Sequence, residues 1–102
     1  MELIKFKSKG RNDLLASSIE SLVNSHSQNA FYFLISQQLR GGKGKTYKNF
    51  DKKLSSGNYQ ELEVNGSQDS RRIIVDMSNF DIFATRDHYK TISYAGKPRW
   101  VN

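Results

Sequence analysis

The chain has 102 residues, a formal net charge of +6, no cysteine and two histidines. A domain of this length buries roughly 65% of its unfolded surface, enough for one core without disulfides. The composition excludes disulfide frameworks and cysteine-based zinc sites, and two isolated histidines do not make a metal site. We therefore expect one domain over residues 1–102, with no cofactor and no metal, and its basic charge favours an anionic partner.

The first residues, MELIKFKSKGRND, lack the apolar core of a secretory signal. No run in the sequence approaches the ~20 apolar residues of a membrane span. The sequence therefore predicts no signal peptide in this chain and no membrane partner.

Two helices are predicted in a helical part at about 11–40. In DLLASSIESLVNSH the apolar residues recur at helical spacing, and Asn12 or Asp13 is available as the cap. The segment AFYFLISQQL repeats the helical pattern after a short polar turn. The core positions expected in this second helix are Phe31, Phe33, Leu34 and Ile35.

A glycine-rich basic segment at about 43–58 predicts a long loop with one short strand around Thr46 and Tyr47. The nearby GGKGKT is similar to a phosphate-binding loop. However, that pattern needs glycine where Leu39 stands, and it should follow a strand rather than a helix. The segment therefore favours a basic surface loop over binding of a nucleoside triphosphate.

From Tyr59 the apolar period changes to two. The segments YQELEV, RRIIV, FDIFAT and YKTISY predict four antiparallel strands at about 59–95, separated by the turns NGSQDS, DMSN and RDH. We expect an α+β domain, in which N-terminal helices pack on a C-terminal antiparallel sheet of four to five strands. The sheet positions expected to face the helices are Ile73, Val75, Ile82 and Phe83.

The other face of this sheet is expected to be open to solvent and to a ligand. Alternation places Glu61 and Glu63 together on one strand, and Arg71 and Arg72 open its antiparallel neighbour. Most such patterns are ordinary cross-strand ion pairs. With His88 at the start of the fourth predicted strand, the set becomes a carboxylate, an arginine and an imidazole, which is what acid and base catalysis on a phosphodiester requires.

The segments YQELEV, SRRII and DHYKTI, with YKNFDKKL upstream, resemble the guanyl-specific microbial ribonucleases, the barnase and streptomycete ribonuclease group. The resemblance covers residues 43–94 and depends on the order and spacing of four segments. It implies the microbial ribonuclease fold. It also implies a metal-independent endoribonuclease that cleaves RNA 3′ of guanine through a 2′,3′-cyclic phosphate.

The resemblance assigns roles by position. It makes Glu61 the general base and His88 the general acid, while Arg72, with Arg71, holds the phosphate. The segment YKNFDKKL is similar to the guanine loop of the family, in which Asp51 takes the position of the glutamate that binds the guanine edge. The residues implied to contact the base are Tyr47, Lys48, Asn49, Asp51 and Tyr89.

One departure from the family pattern leaves an alternative open. Gln68 stands where the family usually has a second phosphate-binding arginine. The runner-up hypothesis is therefore a catalytically weakened RNA-binding or protein-binding module of the same fold.

An active ribonuclease would damage its own cell. We therefore expect a toxin domain that acts in the cytoplasm of a target cell, either as part of a secreted effector or as the toxic half of a toxin and antidote pair. Its expected partners are RNA and an acidic inhibitor or immunity protein.

Overall fold

A computed structural model describes residues 4–38, 45–46, 54–55, 57–66 and 68–101. The helices are α1 (Leu14–Val23) and α2 (Gln28–Gln38). The strands are β1 (Ile4–Lys5), β2 (Lys45–Thr46), β3 (Tyr59–Glu63), β4 (Arg72–Asp76), β5 (Ile82–Thr85) and β6 (Ser93–Gly96). The expected α+β arrangement of N-terminal helices and C-terminal strands is confirmed. Neither of these helices is long and apolar enough to cross a membrane.

The strands form one sheet in the order β1-β6-β5-β4-β3-β2. The run from β2 to β6 is antiparallel throughout, which agrees with the predicted antiparallel sheet. The strand β1 was not expected, and it pairs in parallel with β6 at the edge of the sheet. With only two residues, β1 is too short to show the alternation by which a strand is recognised.

The start of α1 is fixed by the carboxylate of Asp13, one of the two predicted caps. Its Oδ1 accepts a hydrogen bond from the backbone N–H of Ala16 at 3.3 Å, and its Oδ2 accepts one from Lys9 at 2.8 Å. Arg86 donates to both oxygens, at 2.9 and 2.5 Å. The hydrogen bond from Arg86 is the main reason that the pKa of Asp13 lies well below its usual value. Asp13 therefore joins the first turn of α1 to the segment that follows β5.

The main core lies between the two helices and one face of the sheet. Its buried members are Leu15, Ile19, Leu22, Phe31, Ile35, Leu62, Ile73, Val75, Ile82 and Ala84. Most of the predicted core positions are confirmed, and Leu34 packs against this cluster while half-buried. The prediction that Phe33 is a core residue is wrong, because 61% of its surface is exposed. Two residues beyond Phe31, it lies on the opposite side of a helix with 3.6 residues per turn.

A second core covers the other face of the sheet. Its buried members are Leu54, Tyr59, Ile74, Phe83 and Ile92. The expectation that Phe83 faces the helices is wrong, because alternation along β5 turns it away from Ile82 and Ala84. All of β4 is buried. The second face is therefore not open across its centre, and only its margin is left for a ligand.

Trp100 packs back on the domain. Its ring lies 5.6 Å from that of Phe31 and 5.0 Å from that of Phe80, both in edge-on geometry. Its Nε1–H donates to Ser25 Oγ at 3.1 Å. Trp100 therefore covers part of the main core, and its indole N–H has a hydrogen-bond acceptor.

Asp13→Asn keeps an oxygen for capping but removes the charge that pairs with Arg86. We expect a loss of about 1 to 3 kcal/mol in the free energy of unfolding near neutral pH, because a largely buried guanidinium loses its counter-ion. Folding lowers the pKa of Asp13, so this stabilisation is complete above the unfolded value of roughly 3.9 and is lost as the pH falls towards the folded value.

Urea denaturation of both proteins across the acid range measures this effect. The difference between them should be constant above about pH 5 and shrink below about pH 4. Glu20→Gln, on the exposed side of α1, is the matched control and should show almost no difference. A constant deficit of Asp13→Asn down to the lowest pH would contradict the ion-pair explanation.

Candidate functional site

The register of three strands brings Glu61 and Arg72 to the same face of the sheet. Glu61 lies opposite Ile74 and Glu63 opposite Arg72 in the β3–β4 pair, and Arg72 lies opposite Thr85 in the β4–β5 pair. Glu61 and Arg72 are therefore diagonal neighbours, a relation in which the Cα atoms are about 7 to 8 Å apart. The prediction that they share a face is confirmed.

His88 and Tyr89 lie in a turn after β5, not in a strand. The strand predicted from Tyr89 begins only at Ser93, and the placement of His88 at a strand start is wrong. Both residues have positive φ, 55° for His88 and 74° for Tyr89. Such a backbone does not continue a strand, and for residues other than glycine it costs about 1 to 3 kcal/mol each.

Hydrogen bonds of Thr85 and Asp87 hold this turn in shape. The carboxylate of Asp87 accepts bonds from the Thr91 N–H at 2.9 Å, the Thr91 hydroxyl at 2.8 Å and the Thr85 hydroxyl at 2.9 Å. Thr85 Oγ1 in turn accepts the N–H of Tyr89 at 3.0 Å. The bonds from Thr91 are the main reason that the pKa of Asp87 is lowered. Asp87 and Thr85 thus offset the cost of the left-handed backbone.

The turn directs Tyr89 back over the sheet, where its hydroxyl donates a hydrogen bond to Glu61 Oε1. The Tyr89 ring is half-buried against the second core. The sequence suggested only a stacking surface for Tyr89 and did not reveal this contact, because residues 28 positions apart meet only through the fold.

His88 lies on the outer side of Tyr89. The centroids of the two rings are 5.3 Å apart and the rings are inclined by 59°. The backbone N–H of His88 donates to Ser70 O at 3.0 Å, while the residue is exposed. The backbone of His88 is therefore fixed, and the residue is in contact with solvent, as a side chain that exchanges protons must be. Tyr89 therefore contacts both His88 and Glu61.

Arg72 is buried, with 5% of its surface exposed. Its Nη1 donates to Arg71 O at 2.8 Å and to Asp69 O. These carbonyls fix the orientation of the guanidinium and link it to the segment on which His88 rests, residues 69–71. A guanidinium held in one orientation supplies a fixed positive charge on this face of the sheet.

Arg71, the other predicted phosphate ligand, lies apart from Glu61 and Tyr89. Its Nε and Nη2 donate to the two carboxylate oxygens of Asp69 at 2.9 and 2.6 Å. This contact lowers the pKa of Asp69 well below its usual value and raises that of Arg71. Arg71 lines a pocket near Asp13 and Arg86. The structure thus separates the two consecutive arginines that the sequence placed together.

The predicted base-binding residues Tyr47, Lys48, Asn49 and Asp51 lie outside the described residues. The short strand immediately before them is described, however. In β2, Lys45 lies opposite Glu61 and Thr46 opposite Gln60. The described residues that directly precede this segment therefore lie beside Glu61.

Gln68, the residue in place of the family arginine, lies in the turn before β4 and is exposed. The adjacent Asp69 N–H donates to Gly66 O at 3.3 Å, which closes this turn. Position 68 is therefore accessible from solvent but carries no charge.

Comparisons with protein-family models, with curated proteins and with solved structures found no match for this chain. The chemistry of the site is therefore argued from its own residues: a carboxylate hydrogen-bonded to a tyrosine, an exposed imidazole against that tyrosine, and a buried guanidinium on the same face.

The hydroxyl of Thr85 is predicted to hold Tyr89 in place. Thr85→Val keeps the volume of this buried side chain but removes the acceptor of the Tyr89 N–H and the donor to Asp87, at a cost of about 1 to 3 kcal/mol. Thr85→Ser is the matched variant, because it keeps the hydroxyl. In amide hydrogen exchange, the Tyr89 N–H should lose protection in Thr85→Val and keep it in Thr85→Ser; equal protection in both variants would contradict this role.

Proposed function

We propose that this protein is a metal-independent endoribonuclease of the barnase-like type, which cleaves RNA 3′ of guanine through a 2′,3′-cyclic phosphate. The observation that carries the proposal is the hydrogen bond from Tyr89 to Glu61, with the ring of His88 against the same tyrosine. It joins a carboxylate from β3 to an imidazole from a strained turn. Strained backbone held by several hydrogen bonds is concentrated at functional sites in proteins.

In the first proposed step, Glu61 removes the proton from the ribose 2′-hydroxyl. The 2′-oxygen then forms a bond to phosphorus, and the bond from phosphorus to the 5′-oxygen breaks. His88, as imidazolium, gives its proton to the departing 5′-oxygen. The carboxylate of Glu61 is suited to this role because the Tyr89 hydroxyl holds it in a defined orientation.

Arg72 supplies the positive charge that this step needs. Negative charge grows on the oxygens bound to phosphorus, and a guanidinium fixed before the substrate arrives stabilises it without reorganisation. The carbonyls of Asp69 and Arg71 keep Arg72 in one orientation.

In the second proposed step, water opens the cyclic phosphate with the proton carriers exchanged. His88, now neutral, removes a proton from water, and protonated Glu61 returns one to the 2′-oxygen as its bond to phosphorus breaks. The 2′-hydroxyl is the nucleophile of the first step, so RNA is a substrate and DNA is not. Side chains carry all the protons and the charge, so the proposal includes no metal.

Preference for guanine is the part of the proposal that rests on the resemblance alone. It assigns the guanine edge to Asp51, with Lys48 and Asn49 beside it and Tyr47 as a stacking surface. The pairing of Lys45 with Glu61 supports the general location, because Lys45 and Thr46 directly precede this segment in the sequence. Cleavage of substrates that differ only in the base 5′ of the scissile phosphate measures the preference.

A second candidate function is a binding module that holds RNA or a protein without cutting RNA. The exposed Gln68 favours it, because the position offers no second cation to the scissile phosphate. In this case the protein would bind RNA and leave it intact.

The proposed activity implies a means of protecting the producing cell. A basic chain that cuts RNA attracts an acidic inhibitor, because opposite charges speed association and cover the site. We therefore propose a toxin domain that acts in the cytoplasm of a target cell, with an acidic immunity protein or inhibitor as its partner.

The decisive assay incubates the purified protein with a short guanine-containing RNA in EDTA and detects a cyclic-phosphate end by mass spectrometry. Glu61→Gln and His88→Ala should each lower the rate by about 10² to 10⁴, because each removes one proton carrier. Near-normal cleavage by either variant would refute its role.

Two matched variants serve as controls in this assay. Glu20→Gln and His26→Ala make the same changes at exposed positions of the helical part and should cleave like the parent chain. If the parent chain binds the RNA but leaves it intact in a folded state, the binding-module candidate replaces the enzyme.

A further inference from the structure

A basic pocket of about 390 Å³ lies at the start of α1. Its lining residues are Lys9, Arg11, Asn12, Asp13, Arg71 and Arg86. None of the proposed catalytic side chains lines it. The segment 69–71 and the turn after β5 connect it with the proposed active site.

The charge of this pocket is positive in spite of two ion pairs. Arg71 pairs with Asp69, and Arg86 pairs with Asp13. Lys9 and Arg11 are exposed, and neither forms an ion pair with another residue in the described parts of the chain. Four cations against two carboxylates leave two positive charges in excess.

The two arginines are fixed before any ligand arrives. Arg71 and Arg86 each donate two hydrogen bonds to one carboxylate, so their planes are held by neighbouring groups. The N–H groups that face Asp69 and Asp13 are already occupied, and the remaining N–H groups of the two guanidinium groups can donate to phosphate oxygens. Lys9 and Arg11 add charge that attracts a nucleic acid backbone.

Hydrogen bonds connect this pocket with His88, the proposed donor of a proton to the leaving group. His88 donates its backbone N–H to Ser70 O, and the Ser70 hydroxyl donates to Arg86 O at 2.9 Å. If His88 protonates the departing 5′-oxygen, the RNA beyond the scissile bond begins beside His88 and Ser70. Arg71 directly precedes β4 and Arg86 directly follows β5, so both lie at the same end of these two strands as Ser70 and His88.

We propose that this pocket is a second phosphate-binding site, which holds a backbone phosphate of the RNA on the 3′ side of the scissile bond. The inference rests on the proposed ribonuclease function, because that function sets the direction of the RNA. The pocket would make longer substrates better ones without taking part in proton transfer.

The first test compares two substrates in the double variant Lys9→Gln/Arg11→Gln. A dinucleotide has only the scissile phosphate, whereas a tetranucleotide extended on the 3′ side carries further phosphates. The value of kcat/KM should fall about tenfold on the tetranucleotide and much less on the dinucleotide. An equal loss on both substrates would overturn the proposal.

The matched control is Lys5→Gln/Arg99→Gln, which removes the same charge at two exposed positions that do not line the pocket. It should reduce the tetranucleotide rate far less than the pocket variant does. Equal losses in the two double variants would mean that overall charge, not this pocket, attracts the RNA, and would also overturn the proposal.

The second test does not depend on cleavage. Short oligothymidylate lacks the 2′-hydroxyl and is bound but not cut, so its affinity can be measured by fluorescence anisotropy over a range of salt concentrations. The pocket variant should bind about tenfold more weakly, with a shallower salt dependence, and the control variant should not. If the protein cuts no RNA but the pocket variant shows this loss of affinity, the proposed ribonuclease function is refuted and the phosphate-binding site is retained. If the pocket variant binds as tightly as the parent chain, only the proposed phosphate-binding site is refuted.

Discussion

The strand β4 is buried at all of its positions, with Ile73 and Val75 in the main core and Ile74 in the second core. Because side chains alternate along a strand, a slip of one residue would exchange these two sets and bring Arg72 into the main core. Burial on both faces therefore fixes the register of the sheet. That register places Arg72 beside Glu61 and opposite Thr85. The hydroxyl of Thr85 in turn accepts the N–H of Tyr89 and so holds the turn that carries His88 and Tyr89. The geometry of the candidate site thus follows from the packing of a single strand.

The turn after β5 brings Tyr89 and His88 to the face of the sheet on which Glu61 and Arg72 lie. Thr85 and Asp87 stabilise two consecutive left-handed residues, and the same conformation points Tyr89 at Glu61 and leaves His88 exposed. Residues in such conformations are concentrated at functional sites in proteins. The two consecutive arginines lie at different surfaces. Arg72 is on the same face of the sheet as Glu61, and Arg71 lines the basic pocket.

The sequence was sufficient for the class of the fold and for the face shared by Glu61 and Arg72, because both depend on short-range periodicity. It was insufficient where tertiary structure overrides that signal. The segment from Tyr89 to Tyr94 alternates like a strand, yet its first residues form a turn. Phe33 and Phe83 were assigned to the main core because they are apolar, although the helical and strand periods place them on the opposite faces. The contact of Tyr89 with Glu61 left no local trace in the sequence.

The central claim is that the 2′-hydroxyl of RNA attacks the adjacent phosphate at the site formed by Glu61, Arg72 and His88. The most direct measurement uses two otherwise identical RNA strands, one of which carries a single 2′-deoxyguanosine at the scissile position. The proposal predicts cleavage of the all-ribose strand at this guanosine with a 2′,3′-cyclic phosphate end, and no cleavage there in the substituted strand. Equal cleavage of both strands at that position would contradict it, because the bond would then break without the neighbouring hydroxyl.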